Sequence, residues 1–189
     1  LCTMYTFLSG SHFVYQGQEI GMSNLDYEKW EDFVDVSTFS TKSLLEKLKI
    51  FSPEKIFKMA KYAARDNART PVQWDATANA GFTTGTPWYT VNPNYVDVNV
   101  ASQEDDPDSQ LNFYRKAIAL RKEYTDAAIY GQFKLHLKGH KQLFVYDKLG
   151  EDGTKLTVVI NLAEKTIPTK KVAKHICPKA TEILSNYKD

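Results

Sequence analysis

Arg65 and Arg69 sit four residues apart in the run Arg65-Asp66-Asn67-Ala68-Arg69-Thr70-Pro71-Val72-Gln73-Trp74. One helical turn separates them, so both guanidiniums can share a face. Each carries a rigid fork of N–H donors, which suits a ligand rich in hydroxyls or carboxylates. The same spacing also serves a plainer purpose, since cations in a last helical turn offset the negative end of the helix. Pro71 disfavours helix at Thr70, so the pair belongs where a helix gives way to a loop. A second cluster, Glu104, Asp105, Asp106 and Asp108, reads as capping and solvated acids at a helix start.

The elements that must position these groups come from an ordinary globular composition. The chain has 189 residues, 42% hydrophobic and 25% charged, with a net charge of +1, enough for one domain or one domain plus part of another. Without a basic block, nucleic acid or an anionic membrane is not expected as partner. Two distant cysteines, Cys2 and Cys177, make neither a disulfide framework nor a metal knuckle. A reducing, cytoplasmic setting is expected. No run is apolar and long enough to span a bilayer, and the start at Leu1 has no signal-peptide pattern and reads as a piece of something longer.

Residues 1–10 read as the last turns of a helix stopped at Gly10. Phe13-Val14-Tyr15 carries a short buried-strand pattern with no clear partner elsewhere, so its apolar surface is expected to be exposed. Residues 22–40 form an ordered loop. A helix from Ser40 to Phe51 follows, with Leu44, Leu45, Leu48 and Phe51 on one side. Ser52-Pro53-Glu54 is a helix start, with cap, proline and acid in order. Ile56, Phe57, Ala60, Ala63 and Ala64 give that helix its apolar face. Residues 74–108 are a long loop of the functional kind. Asp106 and Pro107 open a helix that runs to about Tyr124. Beyond Tyr130–Gly131 the period changes to that of strands: Phe133–Leu137, Leu143–Tyr146, Lys155–Leu162 and Thr181–Ser185, with a hairpin turn at Gly150–Gly153.

Four motifs occur in sequence order: Phe13-Val14-Tyr15-Gln16-Gly17-Gln18-Glu19-Ile20-Gly21-Met22, the Arg65–Trp74 run, Asn79-Ala80-Gly81-Phe82 with Pro87-Trp88, and Asp106–Tyr114. Together they resemble the α-glucosidases of glycoside hydrolase family 13, of the maltase, isomaltase and oligo-1,6-glucosidase type. After residue 131 the likeness is one of pattern, up to Leu184–Tyr187. The resemblance implies an α/β fold: an incomplete C-terminal part of a (β/α)8 barrel followed by an antiparallel β-sandwich domain. Residues 1–130 would supply the last strand (Phe13–Tyr15), a loop excursion and the last helix. Residues 131–189 would supply the β domain.

The resemblance also implies chemistry. Retaining glycosidases use two carboxylates flanking the scissile bond. The family's catalytic acids and its metal-binding loop are expected upstream of Leu1, so catalytic residues, metal and cofactor are expected to be none here. Arg65 and Arg69 match family arginines near the sugar hydroxyls, and Asp66 would orient them. Trp30-Glu31-Asp32-Phe33-Val34-Asp35 stands where relatives carry a Tyr-Lys-Asp-Val-Glu-like run, one residue shorter. Asp35 would then take the place of the acid that approaches the sugar. Gln16–Glu19 would hold the barrel mouth by buried hydrogen bonds, and Trp74, Phe82 and Trp88 would contact sugar or pack in the core. His12 would be structural. The expected partners are an oligosaccharide of the maltose or isomaltose class and the missing N-terminal barrel portion. The chain alone would be inactive. A truncated non-catalytic product and a sugar-binding transporter-partner relative are the alternative readings.

Overall fold

The computed structural model of the chain describes residues 1–168 and 170–186; Tyr187 of the Leu184–Tyr187 ending lies outside them. Among the described residues the helices are α1 (Cys2–Thr6), α2 (Val36–Leu48), α3 (Pro53–Ala63), α4 (Val100–Glu104), α5 (Gln110–Glu123) and α6 (Lys170–Ala173). The strands are β1 (Gln132–His136), β2 (Leu143–Leu149) and β3 (Lys155–Asn161). They gather into two compact units, one of residues 1–13 with 112–189 and one of residues 14–111.

In the first unit, β1, β2 and β3 form an antiparallel sheet in that order. Leu135 lies opposite Tyr146, and Tyr146 opposite Val158. Because side chains alternate along a strand, this register puts Phe133, Leu135, Phe144, Tyr146, Leu156, Val158 and Ile160 on one face. Phe7, Ala127 and Ala128 pack there with Tyr146, Leu156 and Val158. The buried Tyr146 hydroxyl donates to the Met4 carbonyl at 2.9 Å. Arg121 of α5 donates to the carbonyls of Thr6, Leu8 and Gly10. The Thr6 carbonyl is one that α1 leaves open at its C-terminal end. Gly131 links a π-helical turn (Asp126–Tyr130) to β1, and a side chain there would collide with the carbonyls of Ala127 and Leu149.

Three expectations change. The expected sandwich is a three-stranded sheet, and Thr181–Ser185 is not a strand. Neither is Phe13–Tyr15, whose Phe13 is 84% exposed. A strand needs a neighbour for its backbone groups, and no described segment pairs with residues 13–15. The exposure expected of that lone apolar run is observed. The helix expected from Pro107 starts at Gln110. Asp106 instead closes the preceding turn, its Oδ1 accepting from the Asp108 N–H at 2.9 Å, and the Gln103 side chain takes the Leu111 N–H at 3.0 Å.

In the second unit, α3 begins as read: Ser52 caps it by accepting from the Lys55 N–H, and Pro53 is its first residue. Ile56 is buried, while Phe57, Ala60 and Ala64 pack against Leu25, Tyr27 and Phe33. The preceding helix departs from the reading. It starts four residues early, at Val36, because Asp35 caps it by accepting from the Ser37 N–H at 2.8 Å. Leu44 and Leu48 face outward. Residues 74–108, read as a long loop, hold ordered turns and the short α4.

Candidate functional site

Local sequence places each group of the arginine segment. The segment Arg65–Arg69 is a single 3-10 stretch following α3. Thr70 is extended (φ −59°, ψ 146°), as a residue before proline should be. The two guanidiniums converge on one carboxylate from thirty residues upstream. Arg65 grips Asp35 side-on, Nη2 to Oδ1 at 2.9 Å and Nε to Oδ2 at 2.9 Å. Arg69 Nη1 donates to Asp35 Oδ2 at 2.5 Å. The Asp35 side chain is 4% exposed, but Arg65 is 63% and Arg69 40% exposed. The guanidiniums are therefore not core groups, and they carry donors beyond those spent on Asp35. Arg65 first, then the Ser37 N–H and Arg69, hold the Asp35 carboxyl far below the usual carboxylate range. Asp35 is thus an anion at any physiological pH, neutralised and aimed by the pair rather than poised to move protons.

Asp66 does something other than orient the arginines. It is fully buried, and its Oδ1 accepts the backbone N–H groups of Val34 at 2.8 Å and Asp35 at 3.0 Å. Its Oδ2 accepts from the Thr38 hydroxyl at 3.4 Å. Asp66 fixes the backbone that presents Asp35, so its influence on the arginines is indirect. Tyr27 stacks on Phe33 with ring centroids 4.2 Å apart. Burial, then the nearby Asp66 charge, pushes its hydroxyl up to about 12. Tyr89, which the sequence reading did not single out, lies with its hydroxyl 3.5 Å from Arg69 Nη1. Only its adjacency to Trp88 in the sequence could have pointed to it.

The neighbouring aromatics are not core. Trp74 and Phe82 are half exposed and Trp88 is 80% exposed. Phe82 follows a left-handed turn in which Asn79, Ala80 and Gly81 all have φ between 56° and 64°. Asp75 secures that turn by accepting the Thr77 N–H at 2.8 Å and Thr77 hydroxyl, and Asn79 Nδ2 donates to the carbonyls of Thr83 and Gly85. Three left-handed residues in succession are unusual outside glycine, so the loop's shape is enforced rather than incidental.

The Gln16–Glu19 segment is held mainly through its backbone. Gln110 Nε2 donates to the Gln18 carbonyl at 2.7 Å and Gln103 Nε2 to the Ile20 carbonyl at 2.8 Å. Gln16 is exposed, which corrects the expectation of a fully buried network. His12 is 3.3 Å from the Thr6 hydroxyl and packs on the Tyr5 ring. Among the described residues no group of three or more metal-ligating side chains forms, and no helix is long and apolar enough to cross a membrane.

The chain is similar to several known proteins. Residues 1–131 match the family model described as alpha amylase, catalytic domain. The chain is 40% identical over 191 residues to the oligo-1,6-glucosidase of Parageobacillus thermoglucosidasius, covering 99% of this chain and 33% of that protein. It is 39% identical over 168 residues to the alpha-glucosidase of Candida albicans, covering 85% of this chain and 29% of that protein. Its structure is similar to that of an isomaltulose synthase from Erwinia rhapontici NX5 solved with its natural substrate sucrose. That similarity has a TM-score of 0.82 at 36% identity and covers 88% of this chain and 29% of the other. The chain therefore spans about a third of the length of the curated relatives it matches.

Proposed function

Since the chain belongs to the alpha-amylase catalytic-domain family, glycoside hydrolase family 13, we propose that it is the part of an α-glucosidase that closes the sugar pocket, in an enzyme hydrolysing terminal α-linked glucose from short oligosaccharides with retention. The observation that carries this reading is the grip of Arg65 and Arg69 on Asp35, with both guanidiniums exposed. Such a cluster offers fixed, charge-assisted donors without offering a proton-transfer group, which is what recognition of sugar hydroxyls needs. Three relatives of this identity named oligo-1,6-glucosidase favour the maltose or isomaltose class as substrate.

In this reading residues 1–130 contribute the final strand, loop excursion and final helix of a (β/α)8 barrel, and residues 131–189 contribute to an antiparallel β domain. The exposed Phe13–Tyr15 run is the strand that becomes paired when barrel neighbours lie beside it. The nucleophile and acid/base come from other parts of the enzyme, and a cytoplasmic setting fits the two free cysteines. The 189-residue chain incubated alone with p-nitrophenyl α-glucoside or maltose is expected to release no product above the buffer blank. Turnover that co-purifies with the chain would mean that it holds its own pair of catalytic acids, contrary to this division of labour.

A further inference from the structure

The sheet face opposite the hydrophobic core carries a polar cluster that sugar recognition does not use. Strand alternation and the pairing of Lys134 with Asp147 and of Asp147 with Thr157 put Lys134 and His136 of β1, Asp147 of β2, and Lys155 and Thr157 of β3 on this one face. Asp147 is fully engaged. His136 Nε2 lies 2.8 Å from its Oδ2, Lys155 Nζ 2.9 Å from the same oxygen, and the Thr157 hydroxyl donates to Oδ1 at 2.9 Å. Over His136 lies a second imidazole, His175, with ring centroids 4.4 Å apart and planes 32° from parallel. His175 sits in the turn that ends α6, its N–H donating to the Val172 carbonyl at 2.8 Å. Its Nε2 is buried and has no hydrogen-bond partner. Val172 of the same segment packs on Leu143 and Val145, with Leu137 and Ile167 beside them.

We propose that this stack is an acid-operated latch: an uncharged His175 holds residues 170–176 against the sheet, and a proton on His175 releases them. The charges that face it make the case. Lys134 and His136 act on it from the sheet and Lys174 from its own segment, against the carboxylate of Asp147, which already pairs with Lys155. The His136 ring is paired with Asp147. Among the described residues, a proton on His175 has no carboxylate bonded to it, and it lies against the His136 ring. Burial first, then His136 and Lys174, hold the His175 imidazole below its ordinary value. The sign follows from linkage. A histidine whose docked pKa is depressed stabilises docking fully above its free value, about 6.5, and that contribution is lost as pH falls below it. Each unit of depression corresponds to about a tenfold change in the docking equilibrium.

Amide hydrogen exchange on the 189-residue chain, corrected for the intrinsic pH dependence of exchange, tests this. Between pH 7.5 and 5.0, residues 170–176 are expected to lose protection, while β2 keeps its own. In His175→Phe, which keeps the stacked ring and cannot take a proton, the same segment is expected to stay protected at both pH values. Equal protection of the segment at both pH values in the parent chain would overturn the latch, and so would acid release of the same size in His175→Phe. Should that variant fold poorly, the parent's His175 ring titration decides. A midpoint below the free-imidazole value supports the latch, and one at or above it refutes it.

Discussion

Replacing Asp66 with alanine is expected to destabilise the unit of residues 14–111 by about 3 kcal/mol, because a buried acceptor serving two backbone N–H groups disappears at once. The Val34 and Asp35 N–H groups and the Thr38 hydroxyl all point at this carboxylate. Asp66→Asn is expected to cost only about 1 kcal/mol, since its remaining oxygen can still take the two N–H groups that share Oδ1. Urea unfolding of the two variants measures the difference. Similar losses in both would mean that the charge of Asp66, not its acceptor geometry, holds the 34–35 backbone.

The second large effect concerns Asp35. In an active enzyme that contains this chain, Asp35→Ala is expected to lower kcat/KM by about 100-fold, and Asp35→Asn by about tenfold. Alanine releases two guanidiniums that a single carboxylate holds together, and like charges so close then separate. Asparagine keeps the shape and loses the charge. The pH profile should be insensitive to Asp35 itself over the physiological range. Its carboxyl is held far below the usual range by Arg65, Ser37 and Arg69, and a depressed acid contributes its stabilisation above its free pKa, losing it only as pH falls toward the folded value. An Asp35→Ala enzyme with unaltered kcat/KM would show that the cluster only braces α2.

What could be read in advance divides along contact distance in the chain. Ser52-Pro53 announced α3 because cap and proline act on their immediate neighbours. Pro71 announced the extended Thr70 for the same reason. The sharing of a face by Arg65 and Arg69 was legible from spacing, although the backbone there is 3-10. Their common partner was not: Asp35 lies thirty residues upstream and entered only through resemblance to a family. Its second role, as the cap that starts α2 at Val36, went unread because the apolar period appeared to begin at Ser40. Leu44 and Leu48 show the limit of that period, since they repeat as a buried face would and yet lie outward. Thr181–Ser185 and Phe13–Tyr15 have strand composition without strands. Composition describes a segment's own preference, and pairing depends on a neighbour being present.

The central claim is that the exposed guanidiniums of Arg65 and Arg69 recognise the sugar. The direct test grafts this chain in place of the matching third of the oligo-1,6-glucosidase of Parageobacillus thermoglucosidasius, to which it aligns over 99% of its length. Hydrolysis of p-nitrophenyl α-glucoside by the chimera is then compared with that of the same chimera bearing Arg65→Ala and Arg69→Ala. The predicted result is an active chimera whose kcat/KM falls by about 100-fold or more in the double variant, as expected for lost charge-assisted hydrogen bonds. Equal activity of the two folded proteins would contradict the account.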